Sequence, residues 1–203
     1  RRLTDLAEQA HTKVRGVFTM NMSSKGTTAN AALMGLGNTR RIVLGDTLMD
    51  KYSDDEIAVI LAHELGHHVH HDIPKGIALQ TILTGVGFYL AGLGLRFAVD
   101  RLGFLGVADV AAFPVFLLVT GAFMLAAMPI GNSYTRHIER AADEYALTST
   151  GDPQAFISMM TKLTDQNLSE AKPAPWVEFL FYDHPPTAKR IAHAERHVAE
   201  TGG

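Results

Sequence analysis

The chain has 203 residues, 47% of them hydrophobic, which is enough for one domain with a real core and too few to expect a second. It has no cysteine, so disulfides and thiolate metal sites are excluded, and any transition-metal site must be built from its ten histidines and its acids. A formal net charge of -3 offers no basic footprint for neutralising phosphates, which argues against nucleic acid as a partner.

Residues 1 to 15 place Leu3, Leu6, Ala7 and Ala10 at helical spacing with charges on the other face, which predicts a short amphipathic helix. Three short runs follow, 16–22, 29–36 and 41–44, separated by SSKGTT and GNT. Those separators have turn composition, and the runs predict a small antiparallel sheet. Asp46 to Tyr52 connects it to a helix whose start is spelled by a capping box, Ser53 with Glu56, with Asp54 and Asp55 favoured by the helix dipole. From Ile57 to His71 this helix is apolar all round over IAVILA, so it is expected to be buried.

Two uncharged segments come next, Ile77 to Leu95 and Val110 to Ile130. Each reaches the roughly 20 residues that span a bilayer core. Gly85, Gly87, Gly92 and Gly94 are dense for a soluble helix and common where membrane helices pack closely. The charged turn Arg96 to Asp109 makes the pair a transmembrane hairpin that returns both ends to one side. Helical patterns then occupy Ser133 to Leu147, Pro153 to Gln166 and about Pro186 to Glu200, with an irregular stretch from Asn167 to Pro175. The expectation is a single mainly α, α+β domain over residues 1–203, interrupted by the hairpin at about 77–130. Because the chain opens at Arg1 without a signal peptide, it is expected to be a fragment lacking upstream transmembrane helices.

His63-Glu64-Leu65-Gly66-His67 is an H-E-x-x-H pattern on a helix. Four residues is just over one turn, so both imidazoles leave the same face and can take two corners of a tetrahedron around one metal ion. Glu64 lies between them in angle and can take a proton from a water beside the metal. His68, His70 and His71 are read as solvated or interfacial at the helix end. A catalytic zinc usually has three protein ligands and one open position. Glu139 is the candidate third, since the hairpin returns its segment to the His helix and Ala141 and Ala142 permit close approach. His137 competes with it, and Asp143, one turn beyond, suits orienting a ligating imidazole.

In these blocks the sequence resembles the membrane zinc metallopeptidases that include the integral-membrane CAAX prenyl endopeptidase and the HtpX heat-shock protease. The resemblance runs from Val17 to Ile191. It is carried by Asn30-Ala31 before Gly35, Ile42 to Leu44 with Asp46 to Leu48, AHELGHH from Ala62, Glu139-x-x-Ala142-Asp143, and His184-Pro185-Pro186 followed by Arg190-Ile191. It implies one Zn2+ per chain on His63, His67 and Glu139, with Glu64 as general base.

It further implies that His184 lies near the metal, either stabilising an oxyanion or occupying the open zinc position, and that Arg190 acts with it or anchors the loop. Asn30, Ala31, Ala32, Leu33 and Met34 would form an edge strand that pairs with extended substrate. Relatives often carry an aromatic residue after the Asn-Ala pair; here Ala32 and Leu33 follow, which changes the groove rather than the chemistry. The implied activity is endopeptidase cleavage of membrane-associated, prenylated or misfolded polypeptides. The implied setting is membrane lipid, with Lys75, Arg136 and Arg140 against Arg96 and Arg101 leaning the site toward the cytoplasm. The alternative is a non-catalytic membrane protein with a structural zinc.

Overall fold

The computed structural model describes residues 2–24, 26, 30–35, 37–167 and 170–201. Ala29 and Leu36, at the ends of the second apolar run, and Lys25, Thr27 and Thr28 of the SSKGTT turn lie outside the described residues.

The first helix, α1 (Arg2–Gln9), is shorter than its periodicity suggests, because the chain turns at His11, which takes a left-handed conformation with φ 50°. Leu6 and Ala7 are buried in the core. The sheet holds β1 (Val17–Met20), β2 (Ala31–Met34) and β3 (Arg41–Gly45) in the order β1-β3-β2. β2 pairs antiparallel with β3 as expected, whereas β1 pairs with it in parallel, Val17 opposite Ile42, so the sheet is mixed. The reason is burial. Four of the five β3 residues are buried, so β3 takes the centre, and the loop after β1 must cross it before β2 can return. Asp46 pins that crossing by accepting from the amides of Met22 (2.8 Å) and Ser23 (3.0 Å) and from the Ser23 hydroxyl (2.6 Å). The Ser23 hydroxyl outweighs a small desolvation and, with these amides, holds the Asp46 carboxyl down at about 2.

After α2 (Asp46–Lys51), the buried helix α3 (Asp54–Val69) starts on the capping box as read: the Glu56 amide donates to Ser53 Oγ and the Ser53 amide to Glu56 Oε2. Glu56 also receives Lys162 Nζ and Ser158 Oγ, both at 2.6 Å, so this 3%-exposed carboxylate is fully committed to holding α3 against the later helix that carries them. The apolar side of α3 (Ile57, Val59, Leu61, Leu65) joins Ile42, Leu44, Phe156 and Met159 in one core.

The hairpin is longer than its apolar segments. α4 (Asp72–Leu102) passes its uncharged run at both ends, and α5 (Phe113–Thr150) continues far beyond its own at the end that carries the site. At 1.5 Å per residue, α5 is about 57 Å long. The segment Ser133 to Leu147, which reads as a separate helix in the sequence, is the continuation of the second span through Pro129. The two helices pack through small residues: a Cβ on Gly94 would lie 2.6 Å from Val119, and one on Gly87 3.1 Å from Phe123. Their outer faces leave Ile77, Ile82, Phe88, Phe97, Leu118 and Leu125 exposed. A soluble monomer rarely exposes an apolar surface of this extent. The remaining helices are α6 (Pro153–Asn167), α7 (Pro175–Phe181) and α8 (Thr187–Thr201), of which α7 has no counterpart in the sequence expectations.

α3 and α5 meet at Gly66. A Cβ there would stand 3.0 Å from Ala142 Cα and 3.2 Å from Tyr145 Cβ, and backbone atoms cannot move aside as a flexible side chain can. Gly66→Ala is therefore expected to cost about 1–3 kcal/mol despite alanine's better helix propensity. A drop in Tm in detergent relative to wild type checks this.

Candidate metal centre

The α3–α5 crossing decides which polar side chains meet. His63 and His67 leave α3 toward α5, and their Nε2 atoms approach to 3.2 Å. Glu139 reaches between them from α5, with Oε2 3.4 Å from His63 Nε2 and Oε1 3.4 Å from His67 Nε2. These three residues can hold a metal ion, their donor atoms lying within 4.8 Å of one another. Ligands about 2.05 Å from a tetrahedral zinc lie about 3.3 Å apart, which matches the separation of the two Nε2 atoms and the approach of one Glu139 oxygen to each of them.

The tautomers make the same point. His67 Nδ1 is 3.0 Å from Asp72 Oδ2, and His63 Nδ1 is 3.0 Å from Asp143 Oδ1, the latter a close contact that is poorly aligned as a hydrogen bond. Two carboxylates on the Nδ1 side keep each ring's proton there and turn both Nε2 lone pairs inward. Two inward-facing nitrogens and a carboxylate aimed at one point make a site for a cation, a proton on His67 or a metal ion that displaces it. With no thiolate in the chain, a His2Glu donor set is the kind that catalytic zinc uses.

The sequence reading anticipated Asp143 but not Asp72. Asp72 is buried at the first position of α4, and it faces back onto His67 because His71 adopts a left-handed conformation, φ 57°, that reverses the chain between α3 and α4. His71 is thus a turn residue, its Nδ1 3.0 Å from His68 O, while His70 turns its ring toward Tyr145 with centroids 6.0 Å apart. His68, His70, His71 and His137 are not part of the three-residue cluster.

Around this cluster lies a cleft of about 190 Å³ lined by Asn30, Ala31, His63, Glu64, Glu139, His184 and Arg190 among others. Ala32, Leu33 and Met34 continue β2 but do not line it; Leu33 packs against the core and Met34 faces outward. A larger apolar cavity, about 610 Å³, is lined by residues of both α4 and α5 and includes none of the cluster residues. His184 is half exposed, with Nε2 3.4 Å from Glu139 Oε1 and Nδ1 2.9 Å from Asp183 Oδ1. Arg190 forks onto Asp143 with Nε and Nη2, and Nη2 also lies 4.0 Å from Glu139 Oε2. Its guanidinium is thus committed to the carboxylate behind His63.

Electrostatically the cluster is a cation trap. Burial works against a charged His67, but Glu139 and Asp72 outweigh it and lift its pKa to about 9. Burial also opposes ionisation of Glu139, and the two imidazoles overcome that and hold its carboxyl far below the usual range. Glu64 moves the other way: desolvation raises its pKa, and neighbouring His63 and His67 only partly offset this.

Two outcomes follow. Below about pH 9 the metal-free His67 carries a proton that must leave when a metal binds, so zinc affinity should rise by up to about tenfold per pH unit toward pH 9, measured by chelator competition. Asp72→Asn, which removes the carboxylate orienting His67, should weaken zinc binding about 10–100-fold in the same assay.

Comparisons with known proteins agree with this geometry. The model of peptidase family M48 matches residues 1–198. The chain is 32% identical over 199 residues to the uncharacterized metalloprotease YhfN of Bacillus subtilis, covering 96% of this chain and 47% of that protein. It is 27% identical over 199 residues to a CAAX prenyl protease 1 homolog of Oryza sativa subsp. japonica, covering 96% and 46%, and 28% identical over 199 residues to the protease HtpX of Legionella pneumophila, covering 94% and 68%. The crystal structure of S. mikatae Ste24p superposes with a TM-score of 0.81 at 26% identity, covering 95% of this chain and 49% of that one. The chain thus spans about half the length of YhfN, of the plant homolog and of Ste24p. On the matched length and the convergence of His63, His67 and Glu139, this chain belongs to peptidase family M48.

Proposed function

We propose that the protein is a zinc-dependent endopeptidase embedded in a membrane, acting on membrane-associated, prenylated or misfolded polypeptides with one Zn2+ held by His63, His67 and Glu139. The observation that carries this reading is the convergence of three donors, each imidazole backed by its own carboxylate, beside a cleft that also contains Glu64. When bound, zinc supplies Lewis-acid polarisation of a peptide carbonyl and makes a nearby water easier to deprotonate.

The chain's own residues do the rest. Glu64, its pKa raised by burial, takes the proton of the attacking water and returns it to the leaving amine; a base closer to neutrality serves both transfers. His184 faces the cleft with Nε2 and has Asp183 on its Nδ1; with both ring nitrogens protonated, its Nε2–H can donate to the oxyanion. Arg190 fixes Asp143 behind His63. Asn30 and Ala31 bring the outer edge of β2 to the cleft, where extended substrate can add as a strand. The prenylated or otherwise membrane-held class of substrate fits a cleft placed just beyond two helices long and apolar enough to cross a bilayer. Flanking charge gives no orientation: Arg136 is buried inside the protein, which leaves Lys75 and Arg140 against Arg96 and Arg101.

A structural zinc is the competing reading, and one distance favours it: His184 Nε2 lies as far from Glu139 Oε1 as the ligand imidazoles do, so it could close the site as a fourth ligand. Cleavage of an unstructured reporter by zinc-loaded, detergent-purified wild type and Glu64→Gln separates the two. Under the protease reading, Glu64→Gln keeps its zinc and loses activity by a factor of at least about 100. Equal cutting by both variants would remove Glu64 from the mechanism, and cutting by neither would support the closed site.

A further inference from the structure

His184 stands on a stretch that forms neither helix nor strand, between the end of α7 at Phe181 and the start of α8 at Thr187. A half-exposed imidazole on such a stretch needs an anchor if its Nε2 is to stay beside the ligand cluster. Two side chains one turn apart on α5 supply it. Asn132 Nδ2 donates to Leu180 O at 2.6 Å. Arg136 donates Nη1 to Glu178 O at 3.0 Å and to Tyr182 O, and Nη2 to Ser133 Oγ at 2.8 Å.

Arg136 is only 6% exposed, and no carboxylate lies within ion-pair distance of it among the described residues. A buried guanidinium left without compensation is costly, so its placement against the carbonyl end of α7 marks a specific use. Tyr182 is two residues from His184, and Arg136 is three residues from Glu139 on the same helix face. One rigid helix thus carries both the carboxylate that His184 approaches and the clamp that sets where His184 stands.

We infer that Arg136, assisted by Asn132, is a positioning residue: it clamps the α7 C-terminus so that His184 Nε2 is held over the reacting carbonyl. The inference rests on the reading of His184 as an oxyanion donor, and it assigns Arg136 no contact with substrate or metal. A guanidinium that only stabilised the fold would lower Tm and yield without singling out the step His184 serves.

The experiment is a double-mutant cycle on the zinc-loaded protein in detergent, with reporter cleavage, zinc content and hydrogen exchange read on each variant. His184→Ala is expected to lower kcat about 100-fold. Arg136→Met should lower kcat by roughly tenfold or more with KM within about twofold and zinc retained, and Arg136→Lys should recover part of the loss. In the His184→Ala background, Arg136→Met should cost nothing further. Asn132→Ala, a milder change, should show the same pattern at smaller amplitude and covers the case in which Arg136→Met fails to fold.

Independently of turnover, peptides covering 176–184 should exchange at least about tenfold faster in the Arg136 or Asn132 variants while α3 stays protected. Losses that multiply onto His184→Ala, or a rise in KM at constant kcat, would overturn the positioning role. Unchanged exchange over 176–184 would overturn the clamp itself. A wild type that holds zinc without cutting, yet shows the exchange difference, would sink the protease reading and leave the clamp standing as an anchor of a fourth ligand.

Discussion

The close crossing of α3 over α5 at Gly66 and Ala142 is the constraint on which the other features depend. Glycine inside a buried helix costs about 1 kcal/mol relative to alanine. Here it lets two backbones approach to a distance that would place even a methyl group 3.0 Å from Ala142 Cα. At that separation His63 and His67, flanking Gly66, meet Glu139, one turn before Ala142, with donor atoms 3.2–3.4 Å apart. A wider crossing would leave the imidazoles facing Glu139 without a shared point for a cation. The same approach buries Asp143 against His63, so the candidate metal cluster and the carboxylate behind it come from one contact.

The charges in this region balance in pairs rather than as a group. His63 and His67 each have a carboxylate on the far nitrogen, Asp143 has Arg190, and Glu56 has Lys162. Buried ionic groups of this kind contribute little net stability, but removing one partner leaves an uncompensated charge, so the network defines geometry more than it adds stability. Among the described residues, Glu64 is the member without such a partner pair. Its raised pKa, set by desolvation, is the property a proton carrier needs.

The continuity of α5 links the site to the hairpin. One helix about 57 Å long presents Phe116 and Leu125 in the apolar span, Asn132 and Arg136 to α7, Glu139 to the cluster and Asp143 to His63. Pro129 lies within it without ending it, as prolines often do in apolar helices whose neighbours compensate for the missing donor. A displacement of the span would therefore reach Glu139 and the α7 clamp together.

The sequence by itself determined what local chemistry determines. The i, i+4 histidines with Glu64, the Ser53–Glu56 box, the two uncharged spans and the pairing of Glu139 with Asp143 all lie within a helical turn or a composition window, so spacing along the chain is enough to read them. Tertiary structure decided everything that joins residues distant in sequence. Asp72 became a partner of His67 only because His71 reverses the chain in a left-handed turn, a conformation no pattern in HHVHHD announces. The fusion of the Ser133 segment with the second span was hidden by the change in composition after Ile130, where an uncharged run gives way to a pattern rich in alanine and charges although the helix continues through both. Arg136 looked like a flanking charge at the membrane, and its use as a clamp depends on α7, a short helix too weakly patterned to foresee. The parallel pairing of β1 likewise followed from which strand had to be buried on both faces, and that is a property of the assembled core.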